Sequence, residues 1–213
     1  MFMSDVMTTN VINIPSNTSL AEAKRIMDAH HIRRLPVVDR GMLVGVVTRD
    51  QLDKAGPSQI SRLDIHEITR ILNKVTVKEV MTKNPVTVTP DSTVEEAVKI
   101  AQEKKIGSLL VVDNGRLVGI ATTNDFFYKI LNPILGIGKP GSRLVVHNCG
   151  DTRNIEKIVG IINRMGLEVI TMFMLPIPER EEQHFVIHLA SEDPAKLIEE
   201  IRKLGCEVER RAR

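Results

Sequence analysis

Leu35-Pro36-Val37-Val38-Asp39-Arg40-Gly41-Met42-Leu43-Val44-Gly45-Val46-Val47-Thr48 returns 74 positions later as Leu109-Leu110-Val111-Val112-Asp113-Asn114-Gly115-Arg116-Leu117-Val118-Gly119-Ile120-Ala121-Thr122. In each copy a short apolar run suits a strand buried on both faces. A residue pair ending in glycine then turns the chain, and a second apolar run returns as the hairpin partner. The duplication extends outward without a gap: Val6-Met7-Thr8 recurs as Val80-Met81-Thr82, so residues 6–52 are repeated at 80–126. Self-similarity at a fixed offset marks a tandem structural unit. Two similar units pack face to face, and the cleft between them can hold two related pockets. A duplicated pocket suggests sensing before it suggests catalysis.

Further out, Val86 and Val88 alternate with Thr87 and Thr89, which predicts a short strand. Pro90-Asp91-Ser92-Thr93 opens a helix with Glu95 and Glu96 in its first turn, and Val94, Ala97, Val98 and Ala101 form one apolar stripe. Each repeat therefore reads strand, helix, strand, strand, helix. The expected organisation is a first repeat over 1–56, a connecting amphipathic helix over 57–75, a second repeat over 76–135, a hinge at 136–141 and a separate domain over 142–213. Ile60, Leu63, Ile65, Ile68, Ile71 and Leu72 give the connecting helix its apolar face, and Phe126 to Leu135 reads as helical with an interruption at Pro133. Gly136-Ile137-Gly138-Lys139-Pro140-Gly141 is a flexible stretch; its Lys is followed by Pro, so it is not a phosphate-binding P-loop.

The remainder has another rhythm. Strands are expected at 143–147, 168–175, 184–189 and 206–209, with helices at 154–165 and 194–204. That βαββαβ order gives an antiparallel sheet with two helices on one face, a ferredoxin-like plan, and the chain as a whole is α/β (α+β). First and last strands would lie side by side, bringing Cys149 near Cys206; a disulfide and two buried thiols are both compatible with this.

Composition narrows the function. Aromatic residues make up 3% of the chain and Trp is missing, so the core is aliphatic and the stacking platforms of single-stranded nucleic-acid binders are lacking. A net charge of +2 predicts neither a nucleic-acid nor a membrane partner, and Arg210-Arg211-Ala212-Arg213 reads as a solvated end. No stretch approaches the roughly 20 apolar residues of a membrane span, and no signal peptide opens the chain, so the expected location is the cytoplasm. His30-His31 lacks companions at ligand spacing, and no metal site is expected there.

Chemistry concentrates at Thr122-Thr123-Asn124-Asp125, where a strand closes and a helix opens. Unpaired backbone N–H groups and the Thr122 hydroxyl suit phosphate oxygens, and Asp125 can accept from both hydroxyls of a ribose. The same spacing also describes an ordinary capping box, in which the motif does nothing but start a helix.

With these features in view, the chain resembles a tandem pair of CBS domains (a Bateman module): each repeat carries Leu-x-Val-Val-Asp, a glycine turn, Leu-Val-Gly and a Thr-led helix start. Residues 142–213 resemble an ACT domain. The whole is similar to CBS-pair/ACT proteins of the acetoin-utilisation (AcuB-like) type, which Ile65-His66-Glu67-Ile68 and the run from Gly136 to Ser142 also match. The resemblance implies adenosine nucleotides in the inter-repeat cleft. In a second site Thr82 and Val86 would lie near the adenine base, which Ile106 and Ser108 would flank, with Thr122, Asn124 and Asp125 around ribose and phosphate. Thr8, Ile12, Ile32 and Thr48 take those roles in a first site, and Arg33 stands either as a phosphate contact or as a solvated residue before a strand. Gln51 falls opposite Asp125 while Asp50 comes one residue early, about 100° away on a helix, which favours the second site as the functional one. For the ACT part, Gly150, Asp151 and Thr152 would form a loop for an amino acid or other small molecule, or the domain would serve only for dimerisation.

Two classes of function follow. One is a non-catalytic regulatory homodimer that binds AMP, ADP or ATP without any obligatory cofactor and couples this to the ACT domain and a protein target. The other is an adaptor whose modules are dimerisation surfaces with empty pockets. No catalytic constellation stands out, so an enzyme is not expected.

Overall fold

The computed structural model describes residues 1–55, 74–147, 149, 152–177 and 183–211, and the chain divides into two units, Met1–Phe126 and Phe127–Arg213. The first unit runs α1 (Met3–Val6), α2 (Leu20–Ala29), β1 (Arg34–Asp39), β2 (Met42–Thr48), α3 (Arg49–Ala55), α4 (Val77–Val80), β3 (Thr82–Lys83), β4 (Thr87–Val88), α5 (Val94–Glu103), β5 (Ser108–Asp113), β6 (Arg116–Thr122) and α6 (Thr123–Phe126). The connecting helix expected over 57–75 lies almost wholly outside the described residues. Among the described residues, no helix is long and apolar enough to cross a membrane.

Both hairpins form as the turn residues require. Arg40 and Gly41 have φ of 52° and 80°, and Asn114 and Gly115 of 48° and 79°. Two successive left-handed residues match the right-handed twist of the strands they join. Asp39 therefore faces Met42, and Asp113 faces Arg116, with one register shift in each hairpin at the same relative position, Val37/Val38 and Val111/Val112. Ser19 and Thr93 cap α2 and α5, each accepting from a backbone N–H three residues on at 3.2 Å. Leu20, Ala23 and Met27 are buried on α2, and Val94 and Ala97 on α5.

The first strand expected in each repeat survives in only one. In the second repeat β4 runs parallel to β5, whereas in the first a single bridge joins Ile14 to Val37. Pro15 occupies the place of Thr89 there and has no N–H to continue the ladder.

The repeats exchange their leading segments. β3, which opens the second repeat, pairs with β2 of the first, while Thr8 of the first bridges Ile120 of the second. Hydrogen bonds repeat this exchange with the symmetry of the duplication. Val77 N–H donates to Thr18 O at 2.8 Å and Lys78 N–H to Ser16 O at 3.1 Å; Met3 N–H donates to Ser92 O at 2.9 Å and Ser4 N–H to Pro90 O at 3.0 Å. Val77, fully buried, belongs to the core built by Leu20, Met27, Leu35, Val37 and Leu52 of the first repeat. Gly45 and Gly119 admit Met81 and Met7 respectively. A Cβ at Gly45 would lie 2.6 Å from Met81 Sδ and 2.9 Å from the Thr82 carbonyl oxygen, and one at Gly119 would overlap Met7.

The second unit starts with a π-helical turn (Phe127–Leu131) and α7 (Asn132–Leu135), then β7 (Ser142–His147), α8 (Thr152–Arg164), β8 (Val169–Pro176), β9 (Gln183–Leu189), α9 (Ala195–Lys203) and β10 (Glu207–Arg211). Strand order β10-β7-β9-β8 with every pair antiparallel is the ferredoxin-like arrangement. Ile158, Ile161 and Ile162 of α8 and Leu197 and Ile201 of α9 cover Leu144, Val146, Phe185, Ile187 and Val208 on one face. Cys149 and Cys206 both join that apolar cluster as thiols, with no disulfide between them. The C-terminal strand is longer than expected. Arg210 and Arg211 pair with Leu144 and Arg143 in the sheet, and both residues remain exposed.

The stretch ending at Leu135 is helical, and its irregularity lies just ahead of Pro133, in the π-helical turn Phe127–Leu131 that runs directly into α7. The glycines expected to loosen the hinge are sites of close approach: a Cβ on Gly136 would overlap the ring of His188, and one on Gly141, whose φ is +117°, the Leu189 carbonyl oxygen. Gly141→Ala is expected to destabilise the second unit by about 3 kcal/mol or more, because both the dihedral and the overlap are with fixed backbone. Gly138 has nothing within 4 Å of an added Cβ but a φ of +79°, so Ala there meets dihedral strain of about 1–2 kcal/mol without the overlap; equal thermal midpoints for the two variants would contradict this packing.

Two carboxyls tie loops of the first unit. The Ser16 N–H donates to Asp39 at 2.9 Å and the Lys24 ammonium to Asp53 at 2.7 Å, and these bonds hold both carboxyls below the usual Asp range. A carboxyl lowered in the folded state contributes fully above its ordinary pKa of about 3.9 and loses that contribution as pH falls through the lowered value. Thermal midpoints should therefore drop on acidification below about pH 4, and Asp39→Asn should flatten part of the slope.

Candidate functional site

The exchange of leading segments assembles a cavity of about 460 Å³ from both repeats. Thr8, Asn10, Val11 and Ile12 come from the segment after α1. His31, Ile32, Arg33, Arg34 and Pro36 come from the start of β1 and the residues before it. Gly107, Ile120 and Thr122 to Asp125 come from the second repeat. The family resemblance assigns these residues to two sites, one per repeat. The structure joins Thr122, Asn124 and Asp125 to Thr8, Ile12, Ile32 and Arg33 instead, because the strand that reaches Ile120 is that of Thr8.

Asp125 anchors the corner. Its Oδ2 accepts from Thr122 N–H at 2.9 Å and from the Thr122 hydroxyl at 2.6 Å, and its Oδ1 accepts from the Thr8 hydroxyl at 3.2 Å. The carboxylate is therefore both a helix cap and a link between repeats, half-buried and facing the cavity. The helix it starts, α6, runs directly into the π-helical turn Phe127–Leu131. Side chains supply positive charge at the cavity. Arg34 reaches across to the second repeat, where a Cβ on Gly107 would stand 3.0 Å from its Nη2 and 3.6 Å from Thr123 Oγ1. Arg34 escaped the sequence reading because its equivalent in the second repeat is Ser108, and nothing in one repeat says that its basic residue serves the other.

The remaining expected residues gather at the opposite corner or stand apart. Thr48 donates through N–H and hydroxyl to Gln51 Oε1 at 2.8 and 3.1 Å, and Gln51 Nε2 donates to Thr82 Oγ1 at 2.9 Å. Gln51, not Asp50, thus occupies the position of Asp125. Asp50 points elsewhere, its Oδ1 3.3 Å from Arg33 Nη2 with both side chains about three-quarters exposed. Val86 and Ile106 are half-buried, Ser108 opens β5, and none of the three lines the cavity. Thr152 begins α8, while Gly150 and Asp151 lie outside the described residues.

Family models add the decisive comparison: the CBS domain model matches residues 3–57 and again 77–132. The chain belongs to the CBS domain family. A CBS domain-containing protein of Dictyostelium discoideum is 33% identical over 137 residues, 62% of this chain and 94% of that protein. Inosine-5'-monophosphate dehydrogenase of Korarchaeum cryptofilum is 37% identical over 125 residues, 58% of this chain, and the match spans only 23% of that enzyme. Among solved structures, a protein described as an acetoin utilization protein (AcuB) from Vibrio cholerae superposes with TM-score 0.54 at 29% identity, covering 66% of this chain and 98% of that one. CBSX2 in complex with AMP superposes with TM-score 0.53 at 26% identity, covering 62% and 97%.

The corner geometry is open to a stability test. Gln51→Leu removes a cap and a bond between repeats and should cost about 1–2 kcal/mol. Asp50→Ala breaks only an exposed ion pair and should change stability by less than about 0.5 kcal/mol. Denaturant titration giving the reverse order would mean that Asp50 holds the corner.

Proposed function

We propose that this CBS pair is a non-catalytic sensor that binds an adenine nucleotide, AMP, ADP or ATP, in the cavity that Thr8 and Asp125 line. The observation that carries the reading is the coexistence, in one cavity, of a positioned carboxylate with His31, Arg33 and Arg34. A carboxylate only accepts hydrogen bonds, which suits the paired hydroxyls of a ribose, and a guanidinium suits phosphate. Val11, Ile12, Ile32 and Pro36 supply apolar walls for a base. The volume lies within the roughly 300–1,000 Å³ of small-molecule sites. The AMP held by CBSX2 supports the same ligand class.

Because both repeats build the cavity, occupancy would change how they sit together. In this proposal the second unit, an ACT-type domain, receives that change in a homodimer and passes it to a protein target, with a coupling of about 1–3 kcal/mol. The opposite corner offers Gln51 in place of the carboxylate and is the weaker site for a ribose.

Calorimetry should show saturable binding of at least one of AMP, ADP or ATP in the micromolar range, where Kd of 1 μM corresponds to about −8.2 kcal/mol. Asp125→Ala should weaken binding by at least tenfold, about 1.4 kcal/mol. Arg34→Ala should weaken nucleotides while leaving adenosine nearly unaffected. Absence of heat and of thermal shift with every adenine compound would remove the proposal.

A further inference from the structure

Arg33 and Arg34 are neighbours in the chain, yet their guanidiniums stand in different electrostatic settings. Both line the cavity beside His31. Arg34 opens β1, is half-buried, and lies against Gly107 of the second repeat, which also neighbours Thr123 at the start of the helix that carries Asp125. Among the described residues Arg34 forms no ion pair. Arg33 stands at the outer rim, its side chain 75% exposed, with Nη2 3.3 Å from Oδ1 of Asp50, which is 73% exposed. Asp50 is the counterpart of Asn124, 74 positions on. The first repeat thus has a carboxylate where the second has an amide, the reverse of Gln51 and Asp125 one residue later.

From this arrangement we propose that Asp50 makes the cavity selective for a nucleoside monophosphate over the corresponding di- and triphosphates. Such selection rests on the cavity being a nucleotide site. With a ribose at Asp125, the first phosphate falls beside Thr123 and Arg34, whose guanidinium can accommodate it through paired hydrogen bonds. Each further phosphate extends toward Arg33 and meets a cation already engaged by a carboxylate. It must displace Asp50 from Arg33 or share the guanidinium with it, and the two anions then repel. Unit charges about 6 Å apart in a medium as polar as water repel by an amount worth about threefold in affinity, and each added phosphate brings more charge. Asp50 touches no ligand in this account; it acts through Arg33 and through its own field. The exposed pair contributes little to stability, so Asp50 can be replaced without loss of the fold.

The test is calorimetry of the full chain with adenosine, AMP, ADP and ATP, in buffer of low ionic strength free of divalent metal, on wild type, Asp50→Asn and Asp50→Lys. Wild type should bind AMP more tightly than ATP. Asp50→Asn should raise the affinity for ATP relative to AMP by about threefold or more, and Asp50→Lys should raise it further. The gain should shrink when salt is raised to about 0.5 M, because exposed charges are then screened over a few ångströms. An Asp50 that served packing alone would move all four ligands together and ignore salt, and that result overturns the proposal. So does wild-type preference for ATP, or an ATP-to-AMP ratio unchanged in both variants; either leaves the nucleotide site itself standing. Failure of every adenine compound to bind the wild-type chain overturns the site and the selection together.

Discussion

Everything in the first unit depends on the exchange of leading segments between the repeats. Buried Met3 and Val77, with the backbone hydrogen bonds beside them, fasten each repeat to its twin. The fastening is apolar burial reinforced by main-chain pairing. Gly45 and Gly119 let Met81 and Met7 lie directly on backbone, which adds close packing to the fastening. The cavity is a by-product of this arrangement: Thr8 can meet Asp125 only because its segment has crossed over.

A twofold scaffold need not carry twofold chemistry. Both corners use the same local frame, a threonine at a strand end whose N–H and hydroxyl donate to an oxygen three residues on. They differ in the atom that looks across to the other repeat. Asp125 presents an acceptor to Thr8, whereas Gln51 presents an amide donor to Thr82. Substituting an amide for a carboxylate leaves the cap intact and reverses the polarity of the link. Structure is thereby separated from recognition at the two positions.

Much of this was legible beforehand. The two-residue turns at Arg40-Gly41 and Asn114-Gly115 and the apolar runs around them specify hairpins through local dihedral and burial preferences. In the second unit the strands fall within about two residues of expectation, because period-2 and period-3.6 patterns are strong there. The crossing of segments was not legible, since two copies with the same apolar pattern offer each leading segment two similar docking surfaces. Arg34 and Gly107 were missed for the same reason, each being unremarkable within its own repeat. Pro15 was readable in principle as the residue that stops a ladder, but the symmetry of the repeats masked it. Gly136 and Gly141 looked like flexibility because a sequence cannot show that a carbonyl or an imidazole stands where a side chain would be.

The bonds from Thr8 to Asp125 and from Gln51 to Thr82 have a historical corollary. Thr8 with Asp125, and Gln51 with Thr82, are bonded across the two copies, so a substitution at any of these positions alters a contact with the other copy. Correlated substitution among descendants should therefore connect the copies to each other more strongly than it connects residues inside either one.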